Sequence, residues 1–199
     1  MKFPEMQIEQ DTFTVKKAFW TSVGLAATVF GLTLLYFLMR AVMAVGGFCA
    51  SGGPYVIATP CPDNVAMLTP AAIFSMIVGL FVYMANRAKN GPDWTMLWWS
   101  GLFLSLGWNF VEFSINPPEG GGIAWGWIIC AVLFVVMGLA PLLLIGGGGG
   151  FPHPLFGREK EGISAPESGL ESRNFLLALH FGSALVGFFL AQFLLQAVS

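Results

Sequence analysis

The sequence predicts an all-α integral membrane protein, a bundle of five transmembrane helices with its N-terminus inside and its C-terminus outside. Three observations predict it. First, 56% of the 199 residues are hydrophobic and only 10% are charged, against about 25% charged in an ordinary soluble domain. A domain of this size keeps much of its surface wet, so such an apolar surplus cannot be hidden in one water-soluble core. Second, five stretches reach the roughly 20 apolar residues that an α-helix needs to cross a bilayer. Third, the lysines and arginines are unevenly shared among the segments joining those stretches. The composition also excludes a disordered chain, and a formal net charge of −2 gives no general attraction to nucleic acid.

The first stretch, residues 18–39, carries no charge. It is too long for the apolar core of a cleavable signal peptide, and no small-x-small site follows it directly, so it reads as a retained helix. The second stretch is residues 65–85. The third is residues 94–115, with a single carboxylate, Glu112. Asp93 stands where its side chain can cap that helix. The fourth stretch is residues 122–145, and Pro141 near its end predicts a kink or an early stop. The fifth is residues 174–198. Strands of an outer-membrane barrel would be short and alternating, whereas these runs are apolar on all sides.

Orientation follows from the basic residues. With the N-terminus inside, the inner segments hold Lys2, Lys16, Lys17, Arg87, Lys89, Arg158, Lys160 and Arg173, and the outer segments hold only Arg40. The positive-inside rule therefore places residues 1–17 in the cytoplasm and residues 18–199 in a membrane domain. The tryptophans agree. Trp20, Trp94, Trp98 and Trp99 fall at inner helix ends, and Trp125 and Trp127 at an outer one, where a half-wet ring is favoured. An interfacial belt accounts for them better than a ligand-stacking cage. The polar N-terminal segment reads equally as a surface-lying piece or a frayed tail.

The outer loop, residues 40–64, contains Cys49 and Cys61 on the oxidising side of the membrane, so a disulfide is expected. Closing a loop of that size contributes roughly 3 kcal/mol in the chain-entropy model. A redox-active thiol pair is the alternative, but it usually has the tighter Cys-x-x-Cys spacing that lowers a thiol pKa. The run GGFCASGGPYVIATPCP in this loop resembles a segment of uncharacterised integral membrane proteins of actinobacteria. The resemblance covers this loop and the start of the second stretch, and implies a bacterial plasma membrane with no established activity. The prolines and glycines of residues 116–121 predict a tight turn that makes the third and fourth helices antiparallel neighbours. The inner loop, residues 146–173, opens on five glycines. Without a following Gly-Lys-Ser/Thr they read as a tether rather than a phosphate cradle.

Ionisable groups at membrane depth are costly and are therefore the first candidates for function. Arg40 follows the first stretch, and Glu112 lies late in the third. At about 1.5 Å per residue both come near the outer interface and could pair, with Asn109 one turn away on the same face as Glu112. A structural ion pair or snorkelling to the headgroups outweighs a proton or substrate site. His180 is the sole histidine within a stretch. A bis-histidine haem needs two facing ligands, so hydrogen bonding to a neighbouring helix is the better reading. Cys130 reads as a small packing residue. Small-residue pairs at helical spacing, Gly101/Ser105, Gly126/Cys130 and Ser183/Gly187, point to close helix contacts.

No catalytic residues and no metal site can be assigned from these patterns. The expected function is a non-catalytic accessory or assembly subunit of a larger bacterial inner-membrane complex, respiratory, photosynthetic or transport. Its expected partners are other membrane subunits, lipids or further copies of the chain. No resident cofactor is expected, and a lipid, pigment, haem or quinone would be shared with a partner. One alternative is a small oligomeric transporter or channel working through Glu112, Arg40 and Asn109. Another is a membrane redox protein using Cys49 and Cys61 with a quinone.

Overall fold

The computed structural model describes residues 13–50, 59–89, 91–118, 122–147, 153–156, 170 and 172–198. They form six helices, α1 (Val15–Ala44), α2 (Val65–Asn86), α3 (Thr95–Ile115), α4 (Trp125–Gly147), α5 (His153–Phe156) and α6 (Arg173–Val198). Among the described residues the β pairing is one isolated bridge, Ala50 to Pro60. Four helices, α1, α2, α4 and α6, are long and apolar enough to cross a membrane. The 21-residue α3 is also long enough, but with Asn109 and Glu112 in it, it is not one of those four.

The outer surface of the bundle is largely apolar, and its interior mixes apolar side chains with hydrogen-bonding ones. Phe74 and Phe81 of α2, Ile129 and Val136 of α4, and Phe181, Phe189 and Phe193 of α6 point outward, whereas Thr21, Thr28, Ser100, Asn109, His180 and Ser183 are buried. Successive long helices run in opposite directions. The end of α1, the start of α2 and the end of α6 meet at one end of the bundle, where Asn64 Nδ2 donates to the Val198 carbonyl at 3.0 Å. At the other end Phe13 and Ala18 pack with Ala88 and Leu176.

α1 is the hub. It packs against α2, α6 and α3, while α4 has α3 as its main partner. Lipid supplies no hydrophobic drive between helices, so their contacts depend on close backbone approach over small residues. Gly24, Thr28 and Gly31 recur on one face of α1 and meet Ala72, Gly79 and Tyr83 of α2. A Cβ on Gly79 would stand 2.7 Å from both the Gly24 carbonyl and the Thr28 nitrogen, and one on Gly31 would strike the Ala72 carbonyl. Ser75 Oγ adds a hydrogen bond to the Ala27 carbonyl at 3.0 Å. On the other side of α1, Gly187 of α6 lies on the Ala26 carbonyl. Gly107 and Gly138 let α3 and α4 close on Phe134 and Leu104, and Phe134 packs between Phe103 and Phe110. Of the three small-residue pairs, Ser183/Gly187 is buried between helices. Gly101 faces only Leu32, and Gly126 faces open space.

Several expected boundaries move. α1 runs beyond residue 39 to Ala44, so Arg40 belongs to the helix and not to the loop that follows. Residues 40–44 contain neither glycine nor proline. The helix stops where Gly46 and Gly47 take φ of 103° and 83° and their N–H groups bond the Met43 and Val42 carbonyls. At its start the Thr14 side chain accepts from the Lys17 N–H, so Lys16 and Lys17 are helical. Asp93 Oδ1 accepts the Thr95 N–H at 3.1 Å and caps α3. α4 passes through Pro141 and reaches Gly147, without the early stop. The inner loop contains the short α5. Residues 1–12, 51–58, 90, 119–121, 148–152, 157–169, 171 and 199 lie outside the described residues, and with them most of the N-terminal segment, most of the glycine run and most of the charged stretch of the inner loop.

Candidate functional site

Two clusters of hydrogen-bonded polar side chains lie at opposite ends of the bundle. In the first, Arg40 of α1 faces Asn109, Glu112 and Phe113 of α3. Spacings of three and four residues put those α3 side chains on one helix face. The two terminal nitrogens of Arg40 donate to the two carboxylate oxygens of Glu112, each at 2.5 Å, a bidentate pairing that fixes direction as well as charge. Arg40 Nη1 also donates to Asn109 Oδ1 at 3.4 Å. Asn109 Nδ2 in turn donates to the Tyr36 carbonyl on α1 at 3.1 Å. The guanidinium lies 5.4 Å from the centre of the Phe113 ring, a cation–π contact. Asn109 is buried, while Arg40 and Glu112 keep about a third of their side-chain surface exposed. The cluster is electrically neutral, and it joins α1 to α3.

The second cluster contains His180, which is therefore far from the other three candidate residues. His180 of α6 is 1% exposed and Tyr83 of α2 is fully buried. His180 Nδ1 is 2.7 Å from the Leu176 carbonyl. A carbonyl only accepts, so Nδ1 carries a proton, and Nε2 lies 3.2 Å from the Tyr83 hydroxyl. That hydroxyl accepts the backbone N–H of Trp94 at 2.9 Å and donates to the Pro92 carbonyl at 3.1 Å. The Trp94 ring packs edge-on to His180 and Phe181, and its Nε1–H donates to the Leu155 carbonyl of α5 at 3.3 Å. Trp94 is thus a core residue and not part of an interfacial belt, because its ring has hydrogen-bonding and aromatic partners inside the protein. Trp20, Trp99 and Trp125 do point outward. In the nearby turn, Arg87 pairs with Asp93 at 2.9 Å.

Tyr83 is the residue that sequence reasoning missed. Its partners lie 9, 11 and 97 positions away, so no local pattern marks it. Its one signal is a hydroxyl near the end of an apolar helix, where it must find an acceptor.

Cys49 and Cys61 are joined by a disulfide with Cα atoms 4.8 Å apart. The backbones around them pair through Ala50 N–H to the Thr59 carbonyl and Cys61 N–H to the Ala50 carbonyl. Cys130 is a free, half-exposed thiol on α4. Both ring nitrogens of His180 are engaged, so ligation of a haem iron would break one of these bonds. Among the described residues no three His, Cys, Asp or Glu side chains gather in a way that would hold a metal ion.

Two apolar grooves open on the surface. One of about 520 Å³ is lined by Met96, Trp99, Met137, Ala140, Pro141 and Leu144. The other, of about 220 Å³, is lined by Leu35, Leu38, Met39, Val42, Thr69 and Leu106. Neither is lined by Arg40, Glu112 or His180. The chain matches no protein-family model, no curated protein and no solved structure.

Proposed function

We propose that the protein is a non-catalytic accessory or assembly subunit of a larger bacterial membrane complex. The observation that carries this reading is the use made of the intramembrane polar groups. Arg40, Asn109, Glu112, Tyr83 and His180 bond one another and the backbone across helices, and none lines either of the two apolar grooves described above. Such groups specify which helices meet. The outward face of α4, with Ile129, Val132, Leu133 and Val136, is free for lipid or for a neighbouring subunit.

The same proposal includes five crossings with the N-terminus in the cytoplasm of a bacterial plasma membrane. Five crossings are supported by the path of the chain. α2 ends beside α6's start, whereas α4 starts at the opposite end, where Gly47 meets Trp127. α3 must therefore cover the distance between. Eight of the nine basic residues on one side support the orientation.

The test is extraction of the native membrane in a mild detergent, followed by identification of what co-purifies. A stoichiometric membrane partner is expected, and isolation of the protein alone from its native membrane overturns the reading. The transporter alternative makes the opposite demand of Glu112. Loss of flux in reconstituted Glu112→Gln protein would support it, and unchanged flux would remove it.

A further inference from the structure

The Cys49–Cys61 bridge joins the end of α1 to the start of α2. Those two helices already meet at backbone distance through Gly24, Gly31 and Gly79, so the bridge is not needed to pair them. What it does restrain is the segment leaving α1. There Gly47, at φ +83°, lies against the Trp127 ring of α4, and a Cβ would stand 2.8 Å from Cζ2. Only glycine permits both that conformation and that approach. Trp127 meets Phe113 edge-on with ring centres 6.1 Å apart. Phe113 carries the Arg40 guanidinium over its face, and Arg40 holds Glu112 and Asn109. A continuous line of contacts therefore runs from the disulfide to the ion pair that fastens α3 to α1. The open groove beside Leu38, Val42 and Thr69 lies at this same end of α1 and α2, next to Arg40.

We propose that the disulfide is a redox-operated clasp on the α3–α4 pair. When oxidised, it seats Gly47 on Trp127 and keeps that end of α3 and α4 against α1. When reduced, it releases that end, and the pair pivots on the Tyr83–Trp94–His180 cluster at the opposite end. The reductant is a dithiol. Its thiolate attacks one cysteine sulfur and the S–S bond breaks. Two electrons and two protons pass to give two cysteine thiols, and the dithiol leaves as its own disulfide. The clasp rests on contacts within the chain and is independent of the subunit reading above.

The test is amide hydrogen exchange, followed by mass spectrometry, of the full chain in nanodiscs with and without dithiothreitol. Alkylation confirms that both thiols are free. Reduction should speed exchange roughly tenfold at residues 110–116 and 122–128, as local opening of one unit does, and leave residues 176–184 unchanged. Acceleration confined to residues 48–62 overturns the clasp. Trp127→Ala with the bridge intact should show the accelerated pattern before any reductant is added. If it instead matches the oxidised wild type and still responds to dithiothreitol, the clasp is wrong. Should that variant not fold, Cys49→Ser combined with Cys61→Ser carries the same test and must reproduce the reduced wild type.

Discussion

The Tyr83 hydroxyl serves three partners on two other parts of the chain: the Trp94 N–H, the Pro92 carbonyl and His180 Nε2. In a buried site, removing it leaves the Trp94 N–H without an acceptor. Tyr83→Phe is expected to cost about 1–3 kcal/mol, the usual penalty for a buried group left unpaired. Thermal unfolding in a fixed detergent checks this, and an unchanged midpoint contradicts it. Arg40 and Glu112 make a different prediction. Replacing one partner leaves the other charge uncompensated at membrane depth, whereas replacing both removes the problem. Glu112→Leu alone should therefore be less stable than Arg40→Leu combined with Glu112→Leu, in the same unfolding assay. The pairing of Arg40 with Glu112 was legible from depth counting along two apolar runs, because charges are rare there and each needs a counter-ion. The Tyr83–His180 bond was not legible, because a tyrosine in an apolar run satisfies the pattern without revealing what it reaches.

Helices meet here over glycine, and the sign of a glycine substitution distinguishes the faces. Alanine gains about 1 kcal/mol over glycine in a helix by propensity. At Gly79 that gain is opposed by a Cβ placed against two backbone atoms of α1, which side-chain rotation cannot relieve. Gly79→Ala is expected to be destabilising by about 1–3 kcal/mol, as overpacking generally is. At Gly126 nothing lies within 4 Å of the added carbon, and Gly126→Ala should be neutral or stabilising in the isolated protein. A pair of denaturation curves decides both. The apolar runs could be read directly, and the helices fall on them. The ends were less legible. Composition puts the boundary of the first stretch at its first charge, but Arg40 does not stop a helix, and the change to positive φ at Gly46 and Gly47 does. Spacing alone could not separate Gly187, which is packed on α1, from Gly126, which faces outward, because both have a small residue four positions away.

The described residues form an apolar-surfaced helical bundle in which α1 packs chiefly on three neighbours and α4 chiefly on one. The proposed orientation predicts that a periplasmic reporter enzyme fused at the C-terminus is active and that the same enzyme fused between α2 and α3 is not. Activity in the reverse pattern would overturn the orientation. Apolarity gives only the number of candidate crossings, whereas the proposed direction rests on the placement of Lys and Arg.

The seat of Gly187 on Ala26 has a consequence for the order in which the protein can be completed. α1 and α2 are adjacent in sequence and can associate as soon as both have entered the bilayer, and α3 and α4 can do the same. The groove on α1 that receives α6 stays uncovered until the last of these helices has been synthesised. At about 5–20 residues per second, that interval is on the order of 10 s. During it the newborn chain shows Ala26 and its neighbours to whatever else lies in the membrane, whether an insertase, a protease or an assembling companion.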